Sequence, residues 1–384
     1  MAYRKLCIVL IVVSAGACVD RIDLITEFNG DPVVVIDGHI SDEPGPYTIK
    51  VSQGFDIQSK TSPKIPISVR RMVISDDLGN SEDLSPTEAG VYQTKPGGIQ
   101  GKIGRVYKLR IELLDSRIYE SLPDTLYPAG NVDSVYVEFG SKISSEGSPQ
   151  YGFDILFNAS SGNKGSKFFL WDFLGTFQAE TNPEFQIDEP CSYATCDGCN
   201  PCNYKPLCSG IRNVSPYPDL NRAVFERVAP CTCCTCWFNF TNNNLVVSDD
   251  QYLSKGRFTK IFLHHVPLDQ WIFQHKVYVD VIQFSLSRQS FEFWKSIKLQ
   301  KQAINSLFQP VTGKIPNNFK QLSGTPNAIQ GIFYSTAKAH RSTFIERKDV
   351  PDQRLIPPVS LTWNKSCLSL FPNGTTSRPF YWKD

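Results

Sequence analysis

No apolar run in this sequence reaches the roughly 20 residues that a membrane-spanning helix needs. The run near its start, Leu6–Val13, has eight, which excludes threading by such a helix and leaves tethering as the membrane option. Charge of one sign is missing too. Lys and Arg number 39 and Asp and Glu 38, so the balance gives no reason to expect nucleic acid or an acidic polymer as partner. Several familiar catalytic motifs are absent, whereas a Ser-His-Asp site depends on geometry that a sequence does not show. There is no Gly-x-Ser-x-Gly nucleophile elbow, no His-Glu-x-x-His zinc helix, no phosphate-cradling Gly-rich loop and no dinucleotide fingerprint. The five histidines are thinly spread, His264, His265 and His275 forming the one grouping while His39 and His340 stand apart. Neighbours on a strand point to opposite faces, so His264 and His265 would not chelate together, and one packed and one solvated ring is expected. Asp76-Asp77 and Asp249-Asp250 sit in turn-like contexts and read as solvated turn carboxylates. The expectation is a protein that is not an enzyme and that uses no cofactor and no metal.

What is present begins at the first residues. Arg4 and Lys5 precede the apolar run, and Ser14, Ala15, Gly16, Ala17 and Cys18 follow it. A basic segment, a short apolar segment and small residues before a cut site make a secretory signal over residues 1–17. The string Ala15-Gly16-Ala17-Cys18 also resembles a bacterial lipobox, in which the cysteine is acylated and becomes the first residue of the mature chain. The rival reading is an ordinary signal cut near Ala17. Two or three acyl chains anchor a protein stably, whereas one is marginal. Residues 19–32 then read as a tether. Losing residues 1–17 removes Arg4 and Lys5 and no acid, leaving 37 basic against 38 acidic groups.

The cysteines agree with export. Apart from Cys7 and Cys18 there are ten: Cys191, Cys196, Cys199, Cys202, Cys208, Cys231, Cys233, Cys234, Cys236 and Cys367. An even number in an exported chain reads as disulfides. Nine of them fall between residues 191 and 236, and nine cannot pair among themselves. If all ten are oxidised, Cys367 must bond into the cluster. A bridge over so long a loop contributes about 4–5 kcal/mol in the chain-entropy picture. Cys233 and Cys234, being adjacent, are expected to take different partners. Metal is the rival: Cys196/Cys199 with Cys233/Cys236 would make a four-thiolate zinc knuckle, and Cys196, Cys199, Cys202 and Cys208 resemble an imperfect iron–sulfur run. Both need thiolates, which oxidising export disfavours.

Period-two alternation predicts a mainly β protein. Strands are expected at 33–36, 47–51, 67–69, 72–75, 90–94, 107–113 and 117–120, forming an N-terminal sandwich of immunoglobulin or transthyretin type over residues 33–121. A linker with Pro123 and Pro128 follows. A larger β-rich domain is expected over 131–384, with strands at 132–139, 151–157, 168–177, 239–247, 258–264, 276–286, 329–334 and 343–346. A cysteine-rich insertion interrupts it at 190–237. One helix stands out: Ser287 caps it, Phe291, Trp294, Ile297, Ile304, Leu307 and Phe308 line one side, and Pro310 ends it.

Several stretches, in their order, carry a likeness. They are Val34-Val35-Ile36-Asp37-Gly38-His39-Ile40 with Gly45-Pro46-Tyr47-Thr48-Ile49; Val73-Ile74-Ser75-Asp76-Asp77-Leu78-Gly79-Asn80 with Gly90-Val91-Tyr92; Val132-Asp133-Ser134-Val135; and the tail from Cys367 to Pro379-Phe380-Tyr381-Trp382. Together they resemble the domain of unknown function 4249 family, exported outer-membrane lipoproteins of Bacteroidetes. The chain departs from that family in its abundance of mid-chain cysteines. Ser369 and Leu370 stand near the family's second tail cysteine, which implies a tail bridge rerouted into the cluster. Such proteins tend to be encoded beside TonB-dependent receptors. The resemblance therefore implies a lipoprotein anchored in the outer membrane through acylated Cys18, on its periplasmic or cell-surface face, and acting as a non-catalytic accessory or ligand-capture partner of a receptor barrel. The alternatives are a stand-alone carbohydrate- or solute-binding lipoprotein and a secreted hydrolase of unrecognised type. Aromatic side chains are abundant, at 12% of residues, and most are expected to fill β cores. Trp237, beside the insertion, is the candidate for contact with a ligand or partner.

Overall fold

Alternation builds most of the chain. In the strand Val106–Leu113, Tyr107, Leu109, Ile111 and Leu113 are buried and the residues between them are not, as expected of a strand with one face on a core. The computed structural model describes residues 33–54, 65–144, 147–161, 165–181, 208–213, 225–241, 244–248, 256–304, 315–358, 366–371 and 373–383. The protein is mainly β, with 53% of the described residues in strands and, among them, a single helix of more than one or two turns.

Two six-stranded sheets form the first sandwich. One runs Ile329–Thr336, Val34–Ser41, Thr48–Gln53, Val91–Gln93 and Ser85–Glu88, with Ile65–Pro66 beside Thr48–Gln53. The other runs Phe319–Ser323, Ile118–Ser121, Val106–Leu113, Val69–Asp76 and Ser81–Asp83, with Asp124–Thr125 beside Val106–Leu113. Ile36, Ile49 and Val51 from the first sheet meet Met72, Leu109 and Tyr119 from the second in one core.

The expected division at 33–121 and 131–384 does not coincide with these sheets. Phe319–Ser323 pairs antiparallel with Ile118–Ser121, and Ile329–Thr336 pairs parallel with Val34–Ser41 over eight positions. An unpaired Val34–Ser41 would leave a row of backbone donors and acceptors without partners, and the returning strand supplies them. Its residues 331–336 are all buried. Gly331 lies opposite Ile36 at φ +119°, and a Cβ there would stand 1.8 Å from the Ile36 carbonyl oxygen. Only glycine allows so close an approach in that conformation.

The second sandwich sets a sheet of Asn131–Ile143, Pro149–Ser160 and Arg257–Pro267 against a sheet of Thr235–Thr241, Phe168–Glu180, Lys276–Leu286 and Lys338–Glu346. Phe153, Phe157, Trp171, Phe258, Val279 and Val281 are buried between them. The helix Arg288–Ile304 begins where Ser287 Oγ accepts the Ser290 N–H at 3.2 Å. Its residues Phe291, Phe293, Trp294 and Ile297 pack on Leu170, Leu286, Ile332 and Tyr334. The helix thus touches both the second sandwich and the strand that returns to the first. The expected helix residues Leu307, Phe308 and Pro310 lie outside the described residues.

Buried polar groups tie the two units together. Asp124, 2% exposed, accepts the Ser335 N–H at 2.7 Å and the Ser290 hydroxyl at 3.3 Å. Burial raises its carboxyl above the ordinary carboxylate range, an effect opposed by donors from Ser287, Ser335 and Ser290. Gln283, wholly buried, accepts Trp171 Nε1 at 2.7 Å and donates to the carbonyls of Ala129 and Ser160. Each bond satisfies a group that would otherwise be costly to bury.

Candidate functional site

Six of the ten candidate cysteines are described, and they form three bridges. Cys208 is bonded to Cys233, Cys231 to Cys234, and Cys236 to Cys367, with Cα–Cα separations of 5.4, 5.7 and 5.9 Å. Cys233 and Cys234 take different partners. Because Cys233 and Cys236 are each bonded to another sulfur, neither is available as a thiolate for the zinc knuckle weighed above. Cys208 is likewise withdrawn from the iron–sulfur alternative. Cys18, Cys191, Cys196, Cys199 and Cys202 lie outside the described residues.

The Cys236–Cys367 bond is buried and fastens the tail to the outer edge of the second sandwich. The short helix Cys367–Leu370, capped by Ser366, follows it. Phe371 then fits among Phe238, Trp271 and Phe177, with ring centroids 4.5 to 5.8 Å apart. Further on, Thr375 exchanges backbone hydrogen bonds with Trp237 at 2.8 and 3.0 Å. Tyr381 stacks on Tyr278 at 4.3 Å and meets the Thr176 hydroxyl at 3.0 Å. Trp382 stands edge-on to Phe344. The tail is a strap laid along one sheet, and Phe380 rises from it almost completely exposed, at 99%.

Most of the abundant aromatics fill cores: Trp171, Phe173, Phe177, Phe238, Trp271, Phe273, Phe291 and Phe293 are all buried. Trp237 is half-buried instead. It faces Trp382 with centroids 6.5 Å apart, and its indole N–H is buried with no acceptor among the described residues. The tail covers the ring that was expected at the surface. Phe380 is the most exposed aromatic among the described residues, and its one signal in the sequence is the run Pro379-Phe380-Tyr381-Trp382.

The histidines are more engaged than their spacing implies. His265 is not solvated: its side chain is 11% exposed, and its Nδ1 lies 2.7 Å from Asp154 Oδ1. A register shift between Ile155 and Leu156 in the paired strand explains this, since a bulge re-aims side chains. His264 packs against Phe173 at 5.0 Å. The Asp154–His265 pair is an acid–histidine contact, but a Cβ on Gly152 would lie 2.6 Å from His265 Nε2, so backbone closes off the nitrogen that a substrate would need. His340, isolated in sequence, bridges the two sandwiches. Its Nδ1 is 2.8 Å from Asp280 and its Nε2 is 2.8 Å from Glu43, which also pairs with Lys338 at 2.7 Å. The bond to Asp280 raises the imidazole above its ordinary value against the effect of burial, and the charges of Asp280 and Glu43 add to the rise. The paired turn acids Asp76 and Asp77 are not simply solvated either, as both meet the Arg105 guanidinium, at 2.8 and 2.6 Å. Asp249 and Asp250 lie outside the described residues.

A family model described as a domain of unknown function, DUF4249, matches residues 20–342. The chain belongs to the DUF4249 family. No curated protein and no solved structure matches it. The DUF4249 match runs through both sandwiches and the returning strand Ile329–Thr336, and it stops short of the strap. The cysteine-tethered tail is therefore a feature of this chain outside the matched span.

Proposed function

We propose that this DUF4249 protein is an exported lipoprotein, held at the outer membrane by acylated Cys18, that serves as a non-catalytic accessory or ligand-capture partner of a TonB-dependent receptor barrel. The observation that carries the reading is the Cys236–Cys367 bond with its two neighbouring bridges. Such bonds persist in oxidising compartments and are rare where thiols are kept reduced. The lipobox-like Ala15-Gly16-Ala17-Cys18 supports the anchor. No helix among the described residues is long and apolar enough to cross a membrane. The barrel partner rests on the family resemblance set out above. A rigid β scaffold with a strapped, aromatic-bearing edge suits an interaction role.

The test is affinity capture of the tagged full chain from solubilised outer membranes, with mass spectrometry of its N-terminus. Expected are a diacylated Cys18, loss of membrane retention in Cys18→Ala, and a barrel recovered in one-to-one ratio. A lone lipoprotein that retains glycan would move the reading to stand-alone carbohydrate binding. An unmodified cytosolic chain still carrying Leu6–Val13 would overturn it.

A further inference from the structure

Where the strap crosses the end of the Lys276–Leu286 and Lys338–Glu346 strands, it closes one side of a cleft of about 460 Å³. That volume is within the roughly 300–1,000 Å³ of small-molecule sites. Lys276, Arg347, Lys348, Glu346, His275 and the indole of Trp382 are among the groups lining it. Sheet register explains why the charges converge. Lys276 pairs directly with Glu346 across the ladder, and Arg347 and Lys348 continue from the end of the same strand.

The cations are not equally neutralised. Lys348 Nζ is 2.5 Å from Glu346 Oε2. Lys276 instead donates to the Lys383 carbonyl and lies over the rings of Phe344 and Trp382, at 4.9 and 5.6 Å. Arg347 donates Nη1 to the Phe273 carbonyl and Nε to Gln353 Oε1, each at 3.2 Å. Among the described residues, then, Lys276 and Arg347 meet only neutral acceptors and ring faces. Of the other acids nearby, Glu180 is taken up by His275 at 3.3 Å and Gln178 at 3.0 Å, and Asp349 accepts the Glu346 N–H at 2.8 Å. Neutral contacts orient the two side chains without cancelling their charge. Arg347 has five N–H donors and Lys276 three, and the contacts above leave most of them free. Oriented cations with spare donors in a concave site are the usual means of holding an oxyanion.

We propose that this cleft binds a small oxyanion (a carboxylate, phosphate or sulfate group) through Lys276 and Arg347, with the Trp382 indole as its wall. The site depends neither on the acyl anchor nor on a barrel partner, so its failure would leave the previous section's reading where it stands. Inorganic phosphate, sulfate and galacturonate are the three sources of the shared chemistry, and glucose is the neutral control.

The oxidised full chain is titrated with each at low ionic strength, followed by calorimetry and by the indole signals in NMR. At least one anion binds saturably at one site and shifts the Trp382 indole resonance most, and glucose does not bind. The double variant Lys276→Met, Arg347→Met weakens that binding by about tenfold or more, whereas Lys295→Met, on the helix, leaves it unchanged. Arg347→Lys, which keeps the charge but loses the planar fork of donors, weakens binding less than Arg347→Met. Failure of all three anions to saturate overturns the proposal, as does wild-type shifting centred away from Trp382. A folded double variant that binds within about twofold of wild type overturns it as well.

Discussion

Two remote segments come home in this molecule, and they are held by different forces. In the first sandwich, Ile329–Thr336 returns to Val34–Ser41 through a ladder of backbone pairs. In the second, Cys367 returns to Cys236 through one covalent bond across 131 residues. The ladder is cooperative and indifferent to redox state, and it relies on close packing at Gly331. The bond acts chiefly by restricting the unfolded chain and fails under reductant. The first closure lies inside the matched span, and the second joins Cys236 within that span to Cys367 beyond it.

The sharpest way to separate them is Cys367→Ser. Loop-closure arithmetic gives a loss of about 4–5 kcal/mol, measured as a drop in denaturation midpoint; excess dithiothreitol should lower the wild type at least as far, since it also opens the two neighbouring bridges. Gly331→Ala attacks the other closure. Positive-φ strain and the collision with the Ile36 carbonyl together cost roughly 3–4 kcal/mol, and the loss should be the same with and without reductant. A redox-dependent loss there would erase the distinction.

His39 sharpens it further, because it sits on the returning ladder opposite Tyr334 and stacks on that ring at 5.3 Å. Burial, aided by Lys338 and opposed by Glu43, lowers its imidazole from 6.5 to about 4. The unfolded chain therefore takes up a proton that the folded chain refuses. Stability is full above pH 6.5 and falls as pH drops toward 4, by about 3 kcal/mol. Urea titrations across that window should show this loss in the wild type and its absence in His39→Phe. Asp124→Ala leaves the Ser335 N–H and the Ser290 hydroxyl without their buried acceptor, at a cost of about 1–3 kcal/mol. Hydrogen exchange should then rise along Ile329–Thr336 and not along the strap.

The smallest effect belongs to His340, between Asp280 and Glu43. Its raised value stabilises the fold below pH 6.5, and that contribution disappears as pH rises through the folded-state value. With His340 and Glu43 each more than a third exposed, solvent holds the effect under about 1 kcal/mol. The melting temperature of His340→Gln should accordingly vary less with alkaline pH than that of the wild type.

The individual strands were legible because one-sided burial stamps a period of two on the sequence. The stretch 276–286 is an example, expected and observed with the same limits. The helix start was legible for a local reason too, a serine hydroxyl meeting a backbone N–H three residues on. Partners were not legible. Nothing in Ile329-Gln330-Gly331-Ile332 names Val34–Ser41 as its neighbour, since alternation says which side faces inward and not which strand lies beside it. For the same reason His340 looked solitary, although sheet register carries it to Asp280 and Glu43. Parity required a bond from Cys367 into the cluster if every sulfur is oxidised, yet it could not choose among nine candidates. That choice depends on which edge the tail follows. The partial cover over Trp237 was not legible because the strap that supplies it lies more than a hundred residues away in sequence.

The parallel ladder also sets a clock. A ribosome adding about 5–20 residues per second completes the stretch from Val34 to Ile329 in roughly 15–60 seconds. Throughout that interval the earliest strand has no neighbour on one side. The amino-terminal sandwich cannot mature while the chain is still being made. Any aid to the newborn protein must shield that bare flank until about the last seventh of the polypeptide arrives.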